Sequence, residues 1–167
     1  MIGDIDMRVE VFDEHYQDAA YNLVWNVMVN VVKRDPIVLK EELRELENIK
    51  EYCMPPHDCF WVAVDETDEV VGTVGLRRVR EDLFYMERFY VHEDYRSKGI
   101  GSLLYEKVEE FVLKHSGKYI YLFSGKHLTT AHRFYLSHNY VIYYDNGVDP
   151  VGFYKELIGT NEKTVLV

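Results

Sequence analysis

Apolar residues recur along this chain in two periods, and the changes from one period to the other divide it into elements. Residues 8–12, Arg-Val-Glu-Val-Phe, alternate polar with apolar, the two-residue period of a half-buried strand. From Asp13 the period lengthens. Tyr16, Ala19, Ala20, Leu23, Val24, Val27, Met28 and Val31 follow three- and four-residue spacing and mark one buried helical face. Asp35-Pro36 reads as an N-cap followed by a first-turn proline. It opens a second helix with Leu39, Leu43, Leu46 and Ile49 inward, ended by Met54-Pro55-Pro56. Strands are expected over 59–65, 70–79 and 83–91, divided by the polar segments 65–69 and 80–82, as an antiparallel meander.

The third strand runs into His92-Glu93-Asp94-Tyr95-Arg96-Ser97-Lys98-Gly99-Ile100-Gly101 and then a helix with Leu104, Val108, Phe111 and Val112 on one face. Residues 118–123 form the next apolar strand, so 83–123 has the order and length of a βαβ crossover with parallel flanking strands. Thr129 or Thr130 is expected to cap a short helix through His138, with Asn139 in the left-handed conformation that ends it. Residues 140–144 and 151–157 read as a closing hairpin around Asp145-Asn146-Gly147-Val148-Asp149-Pro150, and 158–167 as a loosely held tail.

Composition narrows the class. A chain of 167 residues, 47% hydrophobic and 29% charged, fits a single globular domain over residues 1–167. The 14 tyrosines suit positions that are half core and half cleft wall. The net charge of −10 argues against nucleic acid as a partner and favours cationic ligands such as amines. No basic stretch followed by an apolar run opens the sequence, and no apolar segment has the length of a membrane span, so a cytoplasmic protein without a membrane partner is expected. Cys53 and Cys59 are too few for a disulfide framework. With His57 they lack a fourth ligand at a usual zinc spacing, so no metal is expected.

The segment that carries chemistry is Arg96-Ser97-Lys98-Gly99-Ile100-Gly101, two glycines where a strand turns into a helix N-terminus. Free amides at a first helical turn bind anionic phosphate, and glycine lets the backbone approach it closely. Neither Gly-Lys-Ser/Thr nor Gly-x-Gly-x-x-Gly is present, so a nucleotide loop of the Walker or Rossmann kind is not indicated.

Arg-x-x-Gly-x-Gly directly after a strand resembles the acetyl-CoA pyrophosphate loop of the GNAT superfamily of N-acetyltransferases. Glu87-Arg88-Phe89-Tyr90-Val91 ahead of it is similar to the family's central strand, and Ala131-His132-Arg133-Phe134-Tyr135 after it to the family's late helix. The resemblance implies an α/β (α+β) fold with a GNAT-like mixed central sheet of about seven strands flanked by about four helices, in the order β-α-α-β-β-β-α-β-α-β-β. It implies acetyl-CoA (coenzyme A) as co-substrate. The strand at 84–91 would splay from that at 118–123, leaving a wedge for the pantetheine arm. Main-chain groups along Phe89, Tyr90 and Val91 would pair with that arm as an added strand does. Amides of Arg96, Ser97, Lys98, Gly99, Ile100 and Gly101 would hold the pyrophosphate, and Phe134 would join the cofactor contacts.

In the family pattern a tyrosine at position 135 lies near the cofactor sulfur and protonates the leaving thiolate, for which a pKa of about 10 is a reasonable match. The same Tyr135 also sits in a helical stripe with Ala131, Phe134 and His138, as a core aromatic would. Many relatives use a strand glutamate as base. Tyr85 stands at the most familiar position, and Glu87, two residues along on the same strand face, either acts as the base, directly or through water, or pairs with a nearby arginine. His132 is assigned no role, and Leu128 occupies a position where many relatives carry asparagine. The acceptor, a small-molecule or peptide amine, is expected between the first two helices and the loop at 145–150, where Asp35, Asp145 and Asp149 either attract a cation or serve as cap and turn residues. Direct transfer in a ternary complex is the implied reaction. The alternative is a catalytically silent acyl-CoA-binding or protein-interaction domain. Pairing into a homodimer is expected by analogy alone.

Overall fold

Alternating segments of the chain form strands and three-and-four-spaced segments form helices in a computed structural model that describes residues 6–52 and 57–157. Cys53, the Met54-Pro55-Pro56 helix stop and the 158–167 tail lie outside the described residues. The strands are β1 (Arg8–Val11), β2 (Asp58–Val64), β3 (Val70–Arg80), β4 (Leu83–Val91), β5 (Tyr119–Ser124), β6 (Val141–Tyr144) and β7 (Val151–Glu156). The α-helices are α1 (Gln17–Asn30), α2 (Pro36–Glu42), α3 (Ile49–Tyr52), α4 (Ile100–Lys114) and α5 (Thr129–Ser137). The strands hydrogen-bond as one seven-stranded sheet in the order β1-β2-β3-β4-β5-β7-β6. It is mixed: β4 runs parallel to β5, whereas β1 pairs antiparallel with β2, and β7 antiparallel with both β5 and β6. An α+β fold of this order is the one expected. Contacts divide the chain into two compact units. One holds the residues up to Leu76 with Arg88–Val108, the other Arg77–Glu87 with the residues from Glu109 onward.

The first unit is built on the inward face of α1, where Ala20, Leu23, Val24, Val27 and Met28 are buried. Ala19, expected on that face, is exposed, because the buried stripe is centred one position further round the helix. Leu39, Leu43, Leu46 and Ile49 all point inward and are fully buried. The single helix expected through them is nevertheless broken into α2, a 3-10 segment at Arg44–Asn48, and α3. Gln17 stabilises the break. Its Nε2 donates to the Leu46 carbonyl at 2.7 Å and its Oε1 accepts from the Ile49 amide at 2.9 Å, satisfying backbone groups at the interruption. The expected cap is present, with Asp35 accepting from the Ile37 amide at 2.8 Å ahead of Pro36. These residues close over Phe60, Val62 and Val64, and Phe12 and Tyr52 meet the Phe60 ring edge-on.

In the second unit Phe84, Met86, Ile120, Leu122 and Phe153 form the buried side of the strands. A Cβ on Gly117 would lie 2.5 Å from both Phe84 and Val112, so only glycine fits where the chain leaves α4. The β4–β5 ladder joins Leu83–Tyr85 to Tyr119–Tyr121, and beyond it β5 continues paired with β7 as far as Ser124 and Val151. Helix α5 differs from expectation at its start. Its N-cap is Leu128, which makes no side-chain cap bond, and neither Thr129 nor Thr130 caps it. The turn is held instead by the Leu128 amide on the Gly125 carbonyl at 3.0 Å and by His132 Nε2 on the same carbonyl at 3.0 Å. Asn139 closes the helix at φ 65°, as its residue type suggested.

Candidate active site

In the first unit the approach to the glycine loop begins inside β4. Arg88 sits at φ 54°, a left-handed residue within a strand, which breaks the pleat at that point. The buried Thr73 hydroxyl donates to the Arg88 carbonyl at 2.8 Å, and Glu45 lies 3.7 Å from the Arg88 guanidinium. Phe89, Tyr90 and Val91 follow, all partly buried. The Tyr90 hydroxyl donates to the Met28 sulfur, so this side chain belongs to the core.

After Val91 a 3-10 turn at Glu93–Tyr95 is capped by His92 Nδ1, which accepts from the Asp94 amide at 3.2 Å. Tyr95 fixes the turn by donating to Asp65 Oδ2 at 2.8 Å. Asp65 is buried in the β2–β3 turn, and burial by itself would raise its pKa. Hydrogen bonds from the Thr67 hydroxyl, Tyr95 and the Glu69 and Thr67 amides outweigh that and bring the carboxyl down to about 2.

Arg96, Ser97, Lys98 and Gly99 are exposed, while Ile100 is buried and anchors the start of α4. Ser97 lies at φ 61° and Gly99 at φ 81°. The first bond of α4 runs from the Leu103 amide to the Gly99 carbonyl at 3.1 Å, so the amides ahead of Leu103 have no acceptor inside the helix. Glycine at the cap offers no side chain to take them. A Cβ built on Gly99 meets nothing within 4 Å, so the loop is open at that residue. Arg96 Nε donates to the Val91 carbonyl at 3.2 Å, and the Lys98 ammonium stands 5.0 Å from the centre of the Tyr95 ring, keeping two cations at the loop. An open glycine position, amides at a helix start and adjacent cations fit a pyrophosphate.

The second unit holds Glu87, Phe134 and Tyr135. Glu87 Oε1 accepts from Arg77 Nε at 2.7 Å, with side-chain exposures of 12% and 33%. The arginine partner foreseen for Glu87 is thus Arg77. Burial, with the Glu87 charge second, raises the pKa of Tyr121. Tyr135 is buried, its ring centre 5.2 Å from that of Phe153 and 5.7 Å from that of Tyr140. Phe134 stacks on His138 with ring centres 4.0 Å apart. His132 is structural, bonded to Gly125 and lying 4.9 Å from the Phe153 ring. The three aspartates considered for the acceptor all do local work: Asp35 caps α2, Asp145 accepts from the Gly147 amide at 2.9 Å, and Asp149 accepts from the Lys126 amide.

Cys59 is buried in β2 and burial pushes its thiol up to about 12, which suppresses a thiolate nucleophile there. Among the described residues no group of three or more His, Cys, Asp or Glu is arranged to hold a metal, and no helix is long and apolar enough to cross a membrane. Three features escaped the sequence: the left-handed Arg88, Arg77 as the partner of Glu87, and the Asp65–Tyr95 anchor. Only Asp65 left a local signal, since Asp-x-Thr is a turn-forming pattern.

Among solved structures the fold is similar to a GNAT-family acetyltransferase from Staphylococcus aureus Mu50, with a TM-score of 0.80 and 21% identity over 91% of this chain and 99% of that one. It is also similar to the PaiA N-acetyltransferase of Thermoplasma acidophilum in complex with coenzyme A, with a TM-score of 0.75 and 13% identity over 92% and 100%. Among curated proteins the chain is 38% identical over 95 residues to N-acetylaspartate synthetase of Xenopus tropicalis and 37% identical over 95 residues to that of Homo sapiens. Each match covers 56% of this chain but only 35% and 31% of those proteins, so the matched part is about a third of their length. The family described as Acetyltransferase (GNAT) family matches residues 20–153, and on that match, with the fold beside it, the chain belongs to the GNAT acetyltransferases.

Proposed function

We propose that this protein is an N-acetyltransferase that moves the acetyl group of acetyl-CoA directly onto a primary amine within a ternary complex. The observation that carries the reading is the opening of α4, where Ser97 and Gly99 take left-handed conformations, the Gly99 Cβ position is open, and the first intrahelical bond begins only at the Leu103 amide. Amides from Arg96 to Gly101 hold the pyrophosphate, with Arg96 and Lys98 adding charge. The left-handed Arg88 interrupts the regular pleat just before Phe89, Tyr90 and Val91, whose main chain pairs with the pantetheine arm.

Glu87 takes the proton that the ammonium must lose. The amine nitrogen then attacks the thioester carbonyl carbon, the carbon–sulfur bond breaks, Tyr135 gives its hydroxyl proton to the departing thiolate, and the second proton of the attacking nitrogen passes through water to the Tyr135 phenolate, leaving a neutral amide and restoring the hydroxyl. Backbone amides of the central strand stabilise the oxyanion that forms between these steps. Burial among Phe153 and Tyr140 holds the Tyr135 ring in one orientation, as a positioned acid requires. A thiol as unreactive as Cys59 favours direct transfer over an acyl-enzyme. The curated relatives are named for N-acetylaspartate, which puts aspartate among the acceptors to test.

Replacing Tyr135 by Phe is expected to lower kcat about 10²-fold while leaving the Kd for acetyl-CoA within about twofold, measured by a thiol-release assay and calorimetry. Unchanged turnover removes Tyr135 from the role of acid. A catalytically silent acyl-CoA-binding domain draws support from the Arg77–Glu87 ion pair, which occupies the intended base. It predicts acetyl-CoA binding with no turnover on any amine.

A further inference from the structure

Within the first unit, one side chain ahead of the glycine loop touches both the β2–β3 turn and a cation of the loop itself. Tyr95 is half-buried, and its two ends are engaged differently. Its hydroxyl donates to Asp65 Oδ2 at 2.8 Å, while the exposed Lys98 ammonium stands 5.0 Å from the centre of its ring. Asp65 is itself fixed, because its Oδ1 accepts from the Thr67 amide at 2.9 Å, the Thr67 hydroxyl at 2.8 Å and the Glu69 amide at 3.0 Å. His92 meets the Tyr95 ring at 5.8 Å and 80°, and its own amide donates to the Val71 carbonyl of β3 at 2.8 Å. The ring is therefore located from two points of the sheet. Arg96, the other cation of the loop, is anchored separately, on the Val91 carbonyl at 3.2 Å.

We propose that Tyr95, held by Asp65, is a positioning residue for the diphosphate of coenzyme A: it preorders the Lys98 ammonium at the glycine loop and thereby sets part of the affinity for that anion. The inference rests on the acetyltransferase reading for the identity of the anion. A lysine on an exposed loop samples many rotamers and loses that freedom when it grips a phosphate. A ring face that holds the ammonium beforehand removes part of this cost. The Asp65 carboxylate strengthens the hold from behind, since a phenol that donates to a carboxylate carries more electron density on its ring. That hydrogen bond, with burial second, raises the pKa of the Tyr95 hydroxyl, which stays protonated as the donor at neutral pH. Placement matters because Glu93 and Asp94 stand in the turn just before the loop and offer a mobile lysine competing carboxylates.

Two measurements test it, the first without ligand. In the NMR spectrum of the free wild-type protein the Lys98 Cε protons are expected upfield of ordinary lysine positions, shifted by the ring current of Tyr95. They should move back toward those positions in Tyr95→Phe, which keeps the ring but cuts its tether to Asp65. The amide spectrum of each variant reports that it is folded. By calorimetry, affinity for coenzyme A is expected to fall about fivefold in Tyr95→Phe and about tenfold in Lys98→Met. The double variant should lose about tenfold and not about fiftyfold, because the tyrosine acts through the lysine. Ordinary Lys98 shifts in wild type overturn the inference, as does equal coenzyme A affinity in wild type and Tyr95→Phe. A fully multiplicative loss in the double variant overturns it too, since Tyr95 then supports the loop without Lys98. Wild type with no affinity for coenzyme A removes the acetyltransferase reading and this inference together, whereas a binding wild type with an unmoved Tyr95→Phe removes the inference alone. Coupled binding losses without turnover of any amine remove the enzyme reading and leave the positioning role in place.

Discussion

Asp65 sits in the turn between β2 and β3, yet its two carboxylate oxygens tie that turn to the segment leading into the glycine loop. Oδ1 takes the Thr67 amide and hydroxyl and the Glu69 amide, while Oδ2 takes the Tyr95 hydroxyl. The Tyr95 ring in turn lies under Lys98. A carboxyl whose pKa is about 2 in the folded protein and 3.8 as an ordinary aspartate stabilises the fold when ionised. That contribution is fully present above 3.8 and is lost as pH falls through about 2. Asp65→Asn is therefore expected to lower the urea midpoint at neutral pH. The gap to wild type should stay level down to about pH 5 and shrink below it. A gap independent of pH across this range would show that the carboxylate charge is not what the turn uses.

Among the elements, the breaks carry more information than the regular stretches. Between α2 and α3 the chain departs from α-helix while every inward residue keeps its place, because Gln17 reaches from α1 to serve the Leu46 carbonyl and the Ile49 amide. Gln17→Ala strands two partly buried backbone groups and is expected to cost about 1–3 kcal/mol in a denaturation experiment. A loss below about 0.5 kcal/mol would mean that water replaces the side chain. The spacing of Leu39, Leu43, Leu46 and Ile49 is the same for a continuous and a broken helix, so the sequence pattern could not tell them apart. The Asp35 cap, the Asn139 stop and the glycine opening of α4 were legible because each is written in adjacent residues. The left-handed Arg88, the Arg77 partner of Glu87 and the start of α5 were not. Each depends on a group several residues away: Thr73, the neighbouring strand, and the Gly125 carbonyl.

At the scale of the whole molecule, a chain of net charge −10 is assigned an anionic co-substrate. Long-range electrostatics oppose that binding, so the affinity must come from the local amides and cations at the start of α4. The most direct test is a calorimetric titration with acetyl-CoA and, separately, with coenzyme A, on wild type and on Gly99→Ala. The side chain added at position 99 meets no neighbour, but its φ of 81° is unfavourable for alanine, so the substitution strains the backbone that presents the amides. Saturable one-site binding by wild type, weakened about tenfold or more in the variant, is the predicted result. Absence of binding at millimolar ligand, or equal affinity in the two proteins, would contradict the assignment of this loop to the pyrophosphate.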